Sequence, residues 1–180
     1  MGGNLLQSDV KTGFIPAEVS GLDAMKIRDV NKSCISRFNM AIDISGRVYS
    51  WGKNEAGQLG LGDSEDHETP QLIEELVGDD IVEIATGKSH ALMLTKSGKV
   101  MAAGSNHFGQ CGQGREIRAL DKPKLVVHGD AEIVNVGCGE NFSILLDRDG
   151  SIWSFGKSEN GCLGRKTDDR LLRKVRNDVF

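Results

Sequence analysis

Tyrosine occurs once in this 180-residue chain, tryptophan twice and proline three times, and no long apolar run breaks the pattern. Without a stretch of 18 apolar residues, no segment reads as a membrane-spanning helix. Met1 to Val10 lacks both a basic start and an apolar core, so it does not read as a secretory signal. Gly2 opens a myristoylation pattern, but Leu6 stands where that pattern wants Ser or Thr. Basic excess is missing too. Lys and Arg total 22 against 26 Asp and Glu, a net charge of −4. A duplex-binding surface needs a basic footprint, so no nucleic acid is expected as a partner.

Paired cysteine spacing is also absent. Cys34, Cys111, Cys138 and Cys162 form no metal-binding pattern, and neither a metal nor a cofactor is expected. Reduced thiols fit a cytoplasmic protein, with the nucleus as the alternative. Cys34 precedes Gly46 by 12 residues, and Cys138 precedes Gly150 by the same number. Thr86 holds that place in between, so a small residue recurs. The recurrence predicts a tight interior site for both thiols. Cys111 replaces a recurring leucine (Leu59, Leu163), and Cys162 replaces a recurring glutamine (Gln58, Gln110).

Glycine is what the chain has in plenty: 23 residues, nearly twice the usual share of ~7%. The excess comes from a repeat. Gly46-Arg-Val-Tyr-Ser-Trp-Gly52-Lys-Asn-Glu-Ala-Gly57-Gln-Leu-Gly60 is followed by Gly98-Lys-Val-Met-Ala-Ala-Gly104-Ser-Asn-His-Phe-Gly109-Gln-Cys-Gly112. Then comes Gly150-Ser-Ile-Trp-Ser-Phe-Gly156-Lys-Ser-Glu-Asn-Gly161-Cys-Leu-Gly164. Both intervals are 52 residues. A period of that length marks a stacked array of supersecondary units. Upstream, Ile81 to Gly98 and Ile133 to Gly150 share a second pattern, and Ile27 to Gly46 follows it with two extra residues. Pro16, Pro70 and Pro123 keep the register, and Gly3-Asn-Leu5 echoes Gly57-Gln-Leu59.

Each period reads as short strands. Ile81 to Ala85 and His90 to Thr95 are rich in aliphatic and β-branched residues. Lys96-Ser-Gly-Lys99 and Arg148-Asp-Gly-Ser151 resemble hairpin turns, and Lys99 to Ala103 returns antiparallel. A fourth strand is expected near Lys124 to Val127. The one helix candidate, Asp169 to Phe180, also fits a fourth-strand register. Four strands per unit with glycine corners is the arithmetic of a propeller blade.

These units resemble regulator of chromosome condensation repeats. Val48-Tyr-Ser-Trp51-Gly52-Lys-Asn54-Glu-Ala-Gly57-Gln58-Leu59-Gly60 matches that pattern nearly throughout, and Gly87 to His90 supplies its Gly-x-x-His element. The second copy has Ala103 at the Trp position; the third has Phe155 there and Ser158 for the Asn. The resemblance implies an all-β fold: a partial β-propeller of about three four-stranded antiparallel blades. Seven periods make about 364 residues, so residues 1–180 would supply roughly half of a seven-bladed ring. Repeat frames fall at about 5–58, 59–110 and 111–162, with a partial unit at 163–180. A propeller needs closure to protect its edges, so further blades or self-association are expected to complete the ring.

Catalytic readings fail one by one. Gly87-Lys88-Ser89 ends like a phosphate loop, but Val82 stands where the motif needs glycine, and a strand follows rather than a helix. Gly156-Lys157-Ser158 fails likewise at Ser151. His90 aligns with Phe38 and Phe142, which marks a packing position with a hydrogen bond to a neighbouring backbone group. Ser89 and His90 adjoin on a strand and point to opposite faces. His107 and Cys111 share a loop, yet no second pair completes a zinc set. His67 and His128 read as solvated loop residues. Trp51 occupies a core position, and Trp153 lies two residues before the matching place. The basic tail Arg165 to Asn177 reads as a solvated last strand or a frayed end. No enzyme is expected.

Function then falls to the loops, which vary over a constant scaffold. The turns at 45–47, 96–99 and 148–151, with the connections at 78–80 and 128–130, should gather at one face. The candidate protein-binding residues are Arg47, Asp79, Asp80, Lys96, Lys99, His128, Asp130, Arg148 and Asp149. The expected role is a non-catalytic interaction module, scaffold or regulator with a protein partner. The resemblance implies an alternative, guanine nucleotide exchange on a small GTPase. Exchange in the founding member uses an inserted wedge, and neither 52-residue interval has room for one.

Overall fold

The computed structural model describes residues 18–114, 116–127, 129–165 and 171–175. They form three four-stranded sheets, each an antiparallel meander in sequence order. The first holds β1 (Ile27–Val30), β2 (Phe38–Asp43), β3 (Val48–Gly52) and β4 (His67–Leu72). The second holds β5 (Ile81–Thr86), β6 (His90–Thr95), β7 (Val100–Ser105) and β8 (Ala119–Leu125). The third holds β9 (Ile133–Cys138), β10 (Phe142–Asp147), β11 (Ile152–Gly156) and β12 (Arg173–Lys174). The fourth strand of the second blade thus starts and ends earlier than Lys124 to Val127. It is mostly exposed, with only Leu120 buried, and that gives it a weak sequence signal. Within the tail candidate, Arg173–Lys174 form a strand, β12, paired with Trp153 and Ser154 of β11, and residues 169–170 and 176–180 lie outside the described residues. The register marks at Gly3 and Pro16 lie outside the described residues.

The blades pack face to face, which explains their patterning. Strand β6 is buried at every position, because a neighbouring sheet covers each side. Its Ala91 and Met93 join Met40, Ile42 and Val48 in one core between the first two blades. Its Leu92 and Leu94 join Val136, Leu145 and Phe155 in a second core between the next two. The first strands of successive blades also adjoin. Arg28 donates to the carbonyl of Ile81 at 2.9 Å, and Asn135 donates to Glu83 Oε1 at 3.0 Å. The frames cut at the glycine loop differ from the blades in space: residues 59–110 hold β4 of one blade and β5 to β7 of the next.

Buried polar side chains fix the long loop after the third strand. Asn54 donates to Asp63 and accepts from the Leu59 amide at 2.9 Å; Asn106 accepts in the same way from Cys111 at 2.9 Å. Gln58 and Gln110 accept from Ala56 and Phe108, each at 2.9 Å. The Asn and Gln of the repeat are therefore loop staples, and a buried amide without such partners would cost about 1–3 kcal/mol.

Three expectations need correction. Cys34 is exposed, whereas Cys138 is half-buried with its thiol pushed up to about 12 by burial. Strand pairing explains the difference. Val30 opposes Ala41 and Ile84 opposes Met93, so Lys32, not Cys34, is the partner of Thr86 in register. Cys34 lies in the two-residue extension. Trp51 is half-buried rather than core, because its face points away from the second blade. His67 opens strand β4 and is half-buried, with Nε2 3.2 Å from Asp63 Oδ2.

His90 has a partner the repeat did not announce. It is fully buried, and its Nε2 lies 3.0 Å from Ser143 Oγ on the next blade. Ser143 donates onward to the Gln110 carbonyl at 2.7 Å, so Nε2 carries the hydrogen and Nδ1 is left without a partner. Burial pushes the imidazole down to about 4. Gly87 makes room for the ring: a Cβ there would sit 2.2 Å from His90 Cε1 and 2.6 Å from the Gly139 carbonyl. That close approach is the physical content of Gly-x-x-His.

Candidate protein-interaction face

The hairpin turns and the blade connections do meet at one end of the strands. Lys96 N donates to the Asp80 carbonyl at 2.9 Å, and Arg148 N donates to the Glu132 carbonyl at 2.9 Å. Ile44 N donates to Lys26 O at 2.9 Å. Each turn is thus tied to the segment that leads into the first strand of its own blade, and the Gly98 carbonyl also accepts from Ile133 N of the next blade at 3.1 Å.

A buried polar residue closes each turn. Asp43 Oδ1 accepts from the amides of Ser45 and Arg47 at 2.8 and 3.0 Å, and Oδ2 accepts from Arg47 Nε at 2.7 Å. Burial opposes its ionisation, but the hydrogen bonds from Arg47 and Ser45 win and hold its carboxyl below the usual range. Asp147 does the same work in the third blade. The Trp153 indole donates to it at 2.9 Å and is the main cause of its lowered value. Thr95 takes this place in the second blade, accepting from Lys99 N at 3.0 Å.

Four predicted residues come together. Asp79, Asp80, Lys96 and Lys99 line one open cleft of about 410 Å³ with Gly78, Thr95 and Ser97. Asp80 holds a φ of 46°, unusual for a residue with a side chain. Arg47 is committed to Asp43, and Arg148 pairs with Glu132 at 2.6 Å. Asp130 and Asp149 are exposed at the next junction, and His128 lies outside the described residues. Sequence reasoning missed Thr95, Ser97 and Glu132. The first two form a turn with hydroxyls 3.0 Å apart, which their spacing could have signalled. Glu132 stands where Asp80 stands, immediately before the first strand of its blade. No cluster of three metal-ligating side chains occurs among the described residues.

Four-stranded meanders packed face to face, each joined to the next by an outer-to-inner connection, define a protein of β-propeller blades. The chain belongs to the regulator of chromosome condensation (RCC1) repeat family: residues 45–94 and 97–146 match that repeat. A second form of the same repeat matches at 81–110 and 133–162. Protein RCC2 of Homo sapiens is 36% identical over 160 residues, covering 89% of this chain and 31% of RCC2. E3 ubiquitin-protein ligase HERC2 of Homo sapiens is 36% identical over 145 residues, covering 79% of this chain and 3% of the ligase. Prp20p of Saccharomyces cerevisiae superposes with a TM-score of 0.76 at 20% identity, over 84% of this chain and 39% of Prp20p. That likeness carries the fold. The chain spans about a third of the length of the RCC2 proteins it matches.

Proposed function

We propose that these blades are a non-catalytic interaction module whose hairpin face binds a protein partner. The convergence of Asp79, Asp80, Lys96 and Lys99 on one open cleft carries this reading. Paired opposite charges at a rim set partner choice and association rate more than affinity. The test is capture of partners from extract on immobilised protein. Reversing Lys96 and Lys99 to Glu should remove the specific partner, and unchanged recovery would reject this face.

A small GTPase is one candidate for that partner. Prp20p, described with its binding properties to Gsp1p and histones, shares the fold, which supports the class of partner but not the reaction. Nucleotide exchange is the weaker reading, since the described blades carry no inserted wedge between strands. Release of labelled nucleotide from a GTPase panel decides it: stimulation would replace the scaffold reading with exchange. The third sheet also presents an apolar face that a further blade would cover. Leu146 and Ile152 are 36% and 46% exposed there. A protein that stays monomeric at high concentration would rule out a second copy as the cover.

A further inference from the structure

At the other end of the strands, opposite the hairpin turns, a cleft of about 150 Å³ opens between the first and second blades. It is lined by Arg37, Lys53, Glu55, Gln58, Lys88 and Ser89. Three cations face one carboxylate. Shifting by one repeat gives the corresponding junction between the second and third blades: Ser89, Ser105, His107, Gln110, Glu140 and Asn141. Those six positions hold no Lys or Arg, although Lys88 reaches across to Glu140 there and Lys157 lies over the Phe108 ring. Blade packing therefore does not require a cation at the Arg37 or Lys53 position, whereas Lys88 also ties the second blade to the third.

We propose that this cleft docks the carboxylates of an acidic peptide segment in a protein partner, separately from the hairpin face. Arg37 is exposed, with no side-chain hydrogen bond or ion pair among the described residues, and its positive charge repels that of Lys53. A guanidinium presents a planar fork that matches a carboxylate. Lys53 is held by Asp66, and Lys88 by Glu140 at 2.8 Å, but these are surface pairs with side chains 41–57% exposed. Such pairs contribute about 0–1 kcal/mol, so an incoming carboxylate can exchange with either. The volume suits one or two side-chain carboxylates and falls below the roughly 300 Å³ at which small-molecule sites begin. Glu55 in the wall disfavours a phosphate, which brings nearly two negative charges, more than a carboxylate, which brings one.

The repeat itself designs the test. Arg37→Ser and Lys53→Ser give the first junction the residues at the matching positions of the second, and Lys88→Gln removes the third cation without setting a carboxylate against Glu140. Binding of a fluorescein-labelled Asp/Glu-rich decapeptide to the full chain is read by anisotropy at low and moderate salt. The triple variant should weaken binding at least tenfold, while Lys96→Glu/Lys99→Glu at the hairpin face leaves it within twofold. Equal binding by the triple variant, absence of binding by the parent, or an equal loss from the hairpin-face variant overturns the proposal. Tighter binding of a phosphoserine peptide of the same net charge overturns the carboxylate assignment. If the triple variant does not fold, Arg37→Ser alone should still weaken binding severalfold, and no change would count against the site. The hairpin-face variant keeps this outcome distinct from failure of the function proposed above.

Discussion

The second and third blades carry leucine at the same register position, opposite the start of the third strand. Leu94 faces Val100, and Leu146 faces Ile152. Leu94 and Val100 are 3% and 0% exposed, whereas Leu146 and Ile152 are 36% and 46% exposed. The backbone is the same and the side chains are nearly so. What differs is the neighbour: the third blade lies over Leu94, and none of the described residues lies over Leu146 in the same way. A blade of this type does not own its core. It lends one face to the blade before it and one to the blade after it, so burial is a property of the junction.

One substitution made twice separates the two junctions. Leu94→Ala should cost about 2–5 kcal/mol, the range for emptying a packed site. Leu146→Ala should cost about 1 kcal/mol or less, as for a half-exposed site. Urea unfolding followed by tryptophan fluorescence measures both. Equal costs would mean that the third face is covered in solution, by another copy or another part of the chain.

His90 sharpens the same junction through pH. Its imidazole is pushed down to about 4 from an ordinary 6.5, so the neutral form is the folded form. Below pH 6.5 the unfolded chain takes up a proton that the folded chain refuses. Stability is therefore complete above 6.5, falls as the pH drops towards 4, and levels off beneath. The whole loss is on the order of 3 kcal/mol. His90→Phe, which installs the residue found at Phe38 and Phe142, should remove that slope. Carboxylates held low by their partners, such as Asp43 and Asp147, release their stabilisation only below an ordinary 3.8, outside this window. An unchanged slope in the variant would reject His90 as its source.

The glycine loops offer a third contrast. A Cβ on Gly57 would lie 2.6 Å from Asp121 Cα in the next blade, while one on Gly161 would meet nothing within 4 Å among the described residues. Both have a φ of +73°. Gly161→Ala should therefore cost about 1–2 kcal/mol for the left-handed backbone alone. Gly57→Ala should cost about 1–3 kcal/mol more, because the neighbouring strand must shift. Equal melting temperatures would show that the loop on the second blade yields freely.

Much of this was legible because the repeat acts as a ruler. The 52-residue spacing placed β5, β6 and the turns at 96–99 and 148–151 within a residue or two of where they lie. It failed where the ruler stretches or the context changes. Counting back from Gly46 ran across the two-residue extension and put Cys34 inside. Trp51 matched a packing position, but the sequence could not say that its face looks away from the second blade. His90 was read as a packed residue, yet its partner Ser143 lies 53 residues away, a pairing set by blade stacking alone. On the hairpin face, turn geometry gathered Asp79, Asp80, Lys96 and Lys99. The ion pairs that occupy Arg47 and Arg148 depend on rotamers that no periodicity encodes.

Arg148 provides the smallest expected effect and the clearest separation of scaffold from surface. Its side chain is 68% exposed and pairs with Glu132, itself 43% exposed. Solvent screens that pair, so Arg148→Ala should change stability by no more than about 1 kcal/mol, with little dependence on salt above ~0.15 M. The tie between the turn and the entry to its blade's first strand survives the substitution, because the Arg148 amide still donates to the Glu132 carbonyl at 2.9 Å. Arg47 differs, since its partner Asp43 is buried and would lose its one side-chain counter-ion among the described residues. Arg47→Ala should therefore cost more than Arg148→Ala under the same urea titration. A cost above about 2 kcal/mol for Arg148→Ala would place that residue in the scaffold and remove it from the binding face. A near-neutral result leaves the arginine free to be reversed in partner-capture experiments without confounding a folding defect with a lost contact.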